Sequence, residues 1–208
     1  MTLISGYSDR INHALAFAAK HHDQQVRRGT RSPYLTQPAN VAIILTRYGC
    51  REEIVVAGIL VEVVEDFVRG GFSAEMLDER ISEKFGRRVT ELLLTIVPRR
   101  HDDDGIELSA DERRRDVLER LNDAPDEARW VLCAVGLHGA ASLLADLRRT
   151  VDPDSVWSRL VPSKDATLAW YDGIRSRLRA LGFQEPIVNE LSVTVDELQL
   201  VRQRQPAG

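Results

Sequence analysis

The run Gly58-Ile59-Leu60-Val61-Glu62-Val63-Val64-Glu65-Asp66-Phe67 constrains this chain more than any other stretch, because it sets three carboxylates into an otherwise apolar segment. On a helix, residue 62 shares a face with residues 65 and 66, so the three acids crowd one side. Like charges at that spacing repel, and a carboxylate withdrawn from water needs a partner. One solution is a half-buried helix whose acids meet arginines on the wet side. The other is a cation held among them. The group that faces this cluster therefore sets what the chain can do.

Elsewhere apolar residues recur every three or four positions almost throughout, with no repeat of fixed period, which predicts an all-α fold. The first helix should run from about Asp9 to Asp23, capped by Ser8 or Asp9, with Ile11, Leu15, Ala18, Ala19 and His22 near one face. A basic loop follows, Arg27-Arg28-Gly29-Thr30-Arg31-Ser32-Pro33-Tyr34. A second helix starts near Pro38 and stops at Gly49, and the third, about Glu52 to Asp66, holds the acids. Ser73 should cap a helix ending at Gly86, and Pro98 should stop the next, Arg87 to Val97. Ser109 and Glu112 have capping-box spacing for a charged helix to about Asn122. After Pro125 an apolar helix continues past Gly136 and Gly139, glycines that imply close helix packing or a weak point. Two amphipathic segments, Ser163 to Leu181 and Pro186 to Arg204, complete the set, with Gln205 to Gly208 as a loose tail. Asp102-Asp103-Asp104-Gly105 lacks the alternating ligands and closing glutamate of a calcium loop and reads as a solvated turn.

The chain of 208 residues suits a single domain, 1–208, with no internal boundary. Its net charge of −4, made from many charges of both signs, argues against a general nucleic-acid or anionic-membrane binder. Cys50 and Cys133 have no partner at metal or redox spacing. No apolar run approaches a membrane span in length, and Met1 to Tyr7 lacks the form of a signal peptide, so a soluble cytoplasmic protein is expected.

Three segments read together carry a family likeness: Ala18-Ala19-Lys20-His21-His22-Asp23-Gln24-Gln25-Val26-Arg27-Arg28-Gly29, then Pro33-Tyr34-Leu35-Thr36-Gln37-Pro38, then the acidic helix. The chain resembles the HD-domain hydrolases of the RelA/SpoT type. Their pattern runs His-x-Gly-Gln-x-Arg-Lys, Pro-Tyr-x-x-His-Pro, Leu-His-Asp-Val-Val-Glu-Asp-Thr, Phe-Gly-x-x-Val. Here His22, Gln25, Arg27, Arg28, Pro33, Tyr34, Pro38, Leu60, Val63, Val64, Glu65, Asp66, Phe85, Gly86 and Val89 match. The likeness is best over residues 12–97; Trp170-Tyr171 resembles a late Trp-Tyr pair, and 183–208 forms a terminal helix and tail. The resemblance implies an HD-domain-like helical bundle. In complete members it also implies a divalent metal, commonly manganese, that serves removal of the 3′ pyrophosphate of guanosine tetra- or pentaphosphate.

The departures fall on the metal ligands. The positions that the resemblance assigns to them hold Gln37, Val61, Glu62 and Gly139, or, with the last motif aligned about a turn later, Asp146 as the nearest acid, which still leaves Val61. Valine and glycine offer no side-chain donor, and an amide oxygen is a poor exchange for imidazole. The remainder cannot hold a metal that must polarise a phosphate and activate water, so no metal or other cofactor is expected. His138, one residue from Gly139, should point about 100° away on a helix, and His13, His21 and His101 have no partner at ligand spacing. What persists are residues that the resemblance links to substrate: Arg27, Arg28, Tyr34 and Tyr171 for a nucleotide, Glu65 and Asp66 for positioning or activating water. With no metal, Arg27 or Arg28 is expected to fold onto the acid cluster as an internal ion pair. The expected function is a catalytically inactive binding or scaffold module. Its candidate partners are a guanine nucleotide or other phosphorylated small molecule, and a second copy through the helix from Pro186. The alternative is a magnesium- or manganese-dependent hydrolase of a nucleotide or other phosphoester, on a site rebuilt from Glu62, Glu65 and Asp66.

Overall fold

The computed structural model describes residues 6–27, 32–161 and 163–203, and among these the chain is all-α. Arg28 and the segment 205–208 lie outside the described residues. Ten helices follow one another: α1 (Asp9–His21), α2 (Thr36–Arg47), α3 (Glu52–Arg69), α4 (Ala74–Phe85), α5 (Arg87–Ile96), α6 (Ala110–Arg120), α7 (Asp126–Arg149), α8 (Pro153–Trp157), α9 (Lys164–Ala180) and α10 (Pro186–Gln203). Their starts are set by local chemistry. Ser8, Ser73, Ser109, Asp152 and Ser163 each accept a hydrogen bond from a first-turn backbone N–H, and Ser109 with Glu112 closes the expected capping box. Alpha-8 was not legible from periodicity, because five residues are too few to display a period.

Alpha-3 is the axis. Eleven of its eighteen residues are buried, from Ile54 to Phe67, and α1, α2, α4, α5 and α7 all pack against it. It runs one turn beyond the expected end at Asp66, to Arg69, whose guanidinium then lies beside the acids. Close approach to α2 rests on Gly58: a Cβ there would lie 2.5 Å from Leu45 Cδ1 and 2.9 Å from Val41 Cγ1. Alpha-7 forms the second axis, touching α2, α3, α5, α8, α9 and α10. It passes through Gly136 unbroken, and a Cβ at Gly136 would meet Ile174 of α9 at 3.0 Å, so the glycine serves close packing. Contrary to the expectation that no segment reaches membrane length, α7 is long and apolar enough by composition to cross one. Its apolar residues instead serve the bundle core, 56% of that window being buried. Alpha-10 turns Ile187, Leu191, Val195 and Leu198 onto α7 and α9.

Two arginines fasten helix ends. Arg10 bonds Glu52, Glu53 and the Phe85 carbonyl, joining α1 to the start of α3 and the end of α4. Arg120 donates to the carbonyls of Leu94, Thr95 and Val97, capping α5, while its Nε binds Asp116 at 3.0 Å. Burial alone would raise the Asp116 pKa, yet the charges and hydrogen bonds of Arg99 and Arg120 bring it below the ordinary value.

Two predictions concern stability. Removing the Arg120 fork takes the donor from the carbonyls of Leu94, Thr95 and Val97 and leaves Asp116 with Arg99 alone, so Arg120→Met should lower unfolding free energy by about 2–3 kcal/mol in a urea titration. Gln24 stands at φ 66°, the left-handed region, where the family pattern carries glycine. Gln24→Gly should therefore raise the urea midpoint, by about 0.5–1 kcal/mol in stability.

Candidate functional site at the end of the central helix

The chain leaves α1 at His22 and returns over the last turns of α3. Gln25 N–H bonds the His22 carbonyl, Tyr34 N–H bonds the Gln25 carbonyl at 2.9 Å, and Arg27 N–H bonds the Ser32 carbonyl at 2.8 Å. An isolated antiparallel bridge between Val26 and Pro33 belongs to the same ladder. This short clasp brings Tyr34 to Glu62 and sets Arg27 between α3 and α7.

Each of the three acids meets a different neighbour. Glu62 accepts from the Tyr34 hydroxyl at 2.7 Å on one oxygen and from the Gln37 amide on the other. The Tyr34 hydroxyl is held firmly protonated by burial first and by the Glu62 charge second. Asp66 gives Oδ1 to Arg69 at 2.8 Å and Oδ2 to His21 Nε2 at 3.1 Å. Among the described residues the Glu65 carboxylate has only the distant edge of Arg69, at 3.8 Å. Burial, then the Glu62 charge, push its pKa up to about 8, with Arg69 opposing.

A cavity of about 330 Å³ is lined by Gln37, Val61, Glu62, Glu65, His138, Gly139, Tyr171 and Arg27 among others. The four positions that the resemblance assigns to metal ligands thus face one space. Between them they offer one carboxylate and one amide, and those two are already bonded to each other. At Gly139 the space for a side chain is taken: a Cβ would lie 2.8 Å from Tyr171 Oη. Beyond Arg27, Glu65 and Pro98, which line both spaces, a larger cavity of about 810 Å³ is bordered by Gln25, Tyr34, Asp66, Arg69, Arg113 and Arg114.

Two expectations need correction. Of the two arginines expected on the acid cluster, Arg27 is not there: its guanidinium binds Asp146 of α7 at 3.0 Å and the Ser142 hydroxyl, while Arg28 lies outside the described residues. Asp66 already has Arg69 and His21, and Glu62 is served by neutral donors. His138 lines the same cavity as Gly139 instead of facing away, and burial, aided by the Arg27 charge, pushes its pKa down to about 4. Tyr171 is pushed up to about 12 by burial. Sequence reasoning missed Arg69, although its i+3 spacing from Asp66 was a usable signal, and His21, whose contact to α3 had none.

Comparison with known proteins agrees with this geometry. The HD domain family model matches residues 14–122. Over 87 residues the chain is 33% identical to the guanosine-3′,5′-bis(diphosphate) 3′-pyrophosphohydrolase of Aquifex aeolicus (strain VF5), a match covering 42% of this chain and 11% of that protein. The crystal structure of lmo0812 from Listeria monocytogenes EGD-e aligns with a TM-score of 0.63 at 27% identity, over 80% of this chain and 99% of that one. A metazoan ortholog of SpoT, described as hydrolysing ppGpp, shares the fold with a TM-score of 0.67 at 24% identity, over 98% and 100% of the two chains. The chain belongs to the HD-domain family.

Proposed function

We propose that this protein is a catalytically inactive RelA/SpoT-type HD domain that binds a phosphorylated small molecule, a guanine nucleotide being the first candidate. The observation that carries the reading is the donor set around the smaller cavity. Gln37, Val61, Glu62 and Gly139 do not fit a divalent metal: the one carboxylate is bonded to Tyr34 and Gln37, and Tyr171 fills the place of a side chain at 139. Support for a ligand comes from the larger cavity, whose size suits a nucleotide and whose wall includes Arg27, Arg113 and Arg114. Arg114 donates to the Ala166 carbonyl, a neutral partner. The Aquifex relative's substrate makes guanosine 3′,5′-bis(diphosphate) the first compound to try.

The test is incubation of the purified chain with guanosine tetraphosphate and manganese, together with a thermal-shift titration. No release of pyrophosphate is expected, alongside a rise in melting temperature; at a hundred times its dissociation constant a ligand adds about 2.7 kcal/mol. Turnover abolished by chelator would overturn the inactive reading, and no shift with any guanine nucleotide would remove the proposed ligand.

Glu65 supplies a separate prediction. The unfolded carboxyl ionises near 4.5 and the folded one near 8, so between these values the unfolded state sheds a proton that the folded state keeps. This group therefore lowers stability progressively as pH rises from about 4.5 to about 8. Glu65→Gln removes the effect. Relative to the wild type the variant should gain on the order of 1–2 kcal/mol between pH 4.5 and pH 8 in parallel urea titrations, allowing for partial exposure.

A further inference from the structure

We infer that His21, His22, Asp66 and Gln25 form a binding site for a first-row divalent metal such as zinc, separate from the positions that the family resemblance assigns to ligands. One ligand atom from each of His21, His22 and Asp66 lies within 4.8 Å of the other two. His21 Nε2 stands 3.1 Å from Asp66 Oδ2, and His22 Nδ1 stands 4.0 Å from the same oxygen. Ligands about 2.1 Å from a common metal are separated by about 3.0–3.4 Å, so the set needs only a small contraction.

The convergence has a backbone cause. Consecutive residues on a continuing helix diverge by about 100°. Here His21 is the last residue of α1 and His22 its cap, at φ −95° and ψ 19°, and the two rings meet edge to face with centroids 4.8 Å apart. Asp66 divides its oxygens, Oδ1 to Arg69 and Oδ2 to the imidazoles. Gln25 contributes a second oxygen, its Oε1 lying 3.0 Å from His22 Nδ1.

The His22 side chain is fully buried, yet among the described residues its Nε2 has no hydrogen-bond partner. A buried ring nitrogen without a partner is uncommon, and here it leaves the ring's tautomer unfixed by a second hydrogen bond. His22 Nδ1 donates to the Gln25 carboxamide oxygen in this structure; moving that proton to Nε2 would free the Nδ1 lone pair for a metal and the Gln25 oxygen to serve as a ligand. Two imidazoles, a carboxylate and an amide oxygen suit zinc, cobalt or manganese better than calcium or magnesium. Gln25 and Asp66 both border the larger cavity, so the site is reached from it.

The experiment uses the full, untagged chain, stripped by chelator and dialysed. Titration with cobalt(II), read by its visible absorption, and with zinc(II), read by calorimetry, should give one equivalent bound. His21→Ala and Asp66→Asn should each weaken binding at least about tenfold, while Glu62→Gln leaves it unchanged. His21 is partly exposed, so its variant is expected to fold, with circular dichroism as the check. Absence of binding by the wild type, or equal binding by the His21→Ala and Asp66→Asn variants, would overturn the proposal. So would loss of binding in Glu62→Gln with His21→Ala unaffected, which would put the metal at the family positions. None of these readouts depends on turnover, so they stand apart from the test of catalytic inactivity.

Discussion

A helix buried on nearly all sides cannot carry three carboxylates at one end without disposing of their charge, and this requirement organises the region around residues 62–66. Five helices wrap α3, and its C-terminal half is where the backbone dipole also disfavours negative charge. The molecule uses a different device for each acid. Glu62 is hydrogen-bonded by neutral donors from the clasp and from α2, Asp66 is paired with a guanidinium and an imidazole, and Glu65 holds its proton toward neutral pH. Arg69 stands close to Asp66 and only at the edge of reach of Glu65, so its charge is spent mainly on Asp66.

The surrounding elements are placed by the same requirement. The chain after α1 crosses the end of α3 because Tyr34 must reach Glu62, and the clasp from His22 to Tyr34 holds it there by backbone hydrogen bonds. Arg27, carried on that clasp, is then free to bind α7 through Asp146 and Ser142. Across the cavity, the absence of a side chain at Gly139 lets Tyr171 of α9 approach α7 closely. Glu62 and Gln37 in the smaller cavity are hydrogen-bonded to each other, whereas the larger cavity beside it is bordered by four guanidinium groups, those of Arg27, Arg69, Arg113 and Arg114.

Much of the fold was legible in the sequence for local reasons. Serine caps at residues 8, 73, 109 and 163, the stop at Gly49, and the unbroken run through Gly136 are consequences of short-range hydrogen bonding and periodicity. The end of α3 was placed a turn too early because Phe67 and Val68 offer no stop signal and the glycines that do come later. The four ligand positions named from the resemblance do border one cavity, since their placement follows the order of matched motifs. The partner of Arg27 could not be read in this way, because Asp146 lies on α7, far along the chain.

What the sequence determined by itself was the set of helices and the inventory of donors: Val61 and Gly139 have no ligating atom in any conformation, and Arg69 follows Asp66 at bonding distance along one helix. Tertiary structure alone decided which charges meet. It sent Arg27 to Asp146, put the Tyr171 hydroxyl where a side chain at 139 would stand, and turned two consecutive histidines toward one oxygen of Asp66. The physical reason is range: caps and periodicity act within a few residues, whereas the choice of ionic partner depends on how whole helices pack.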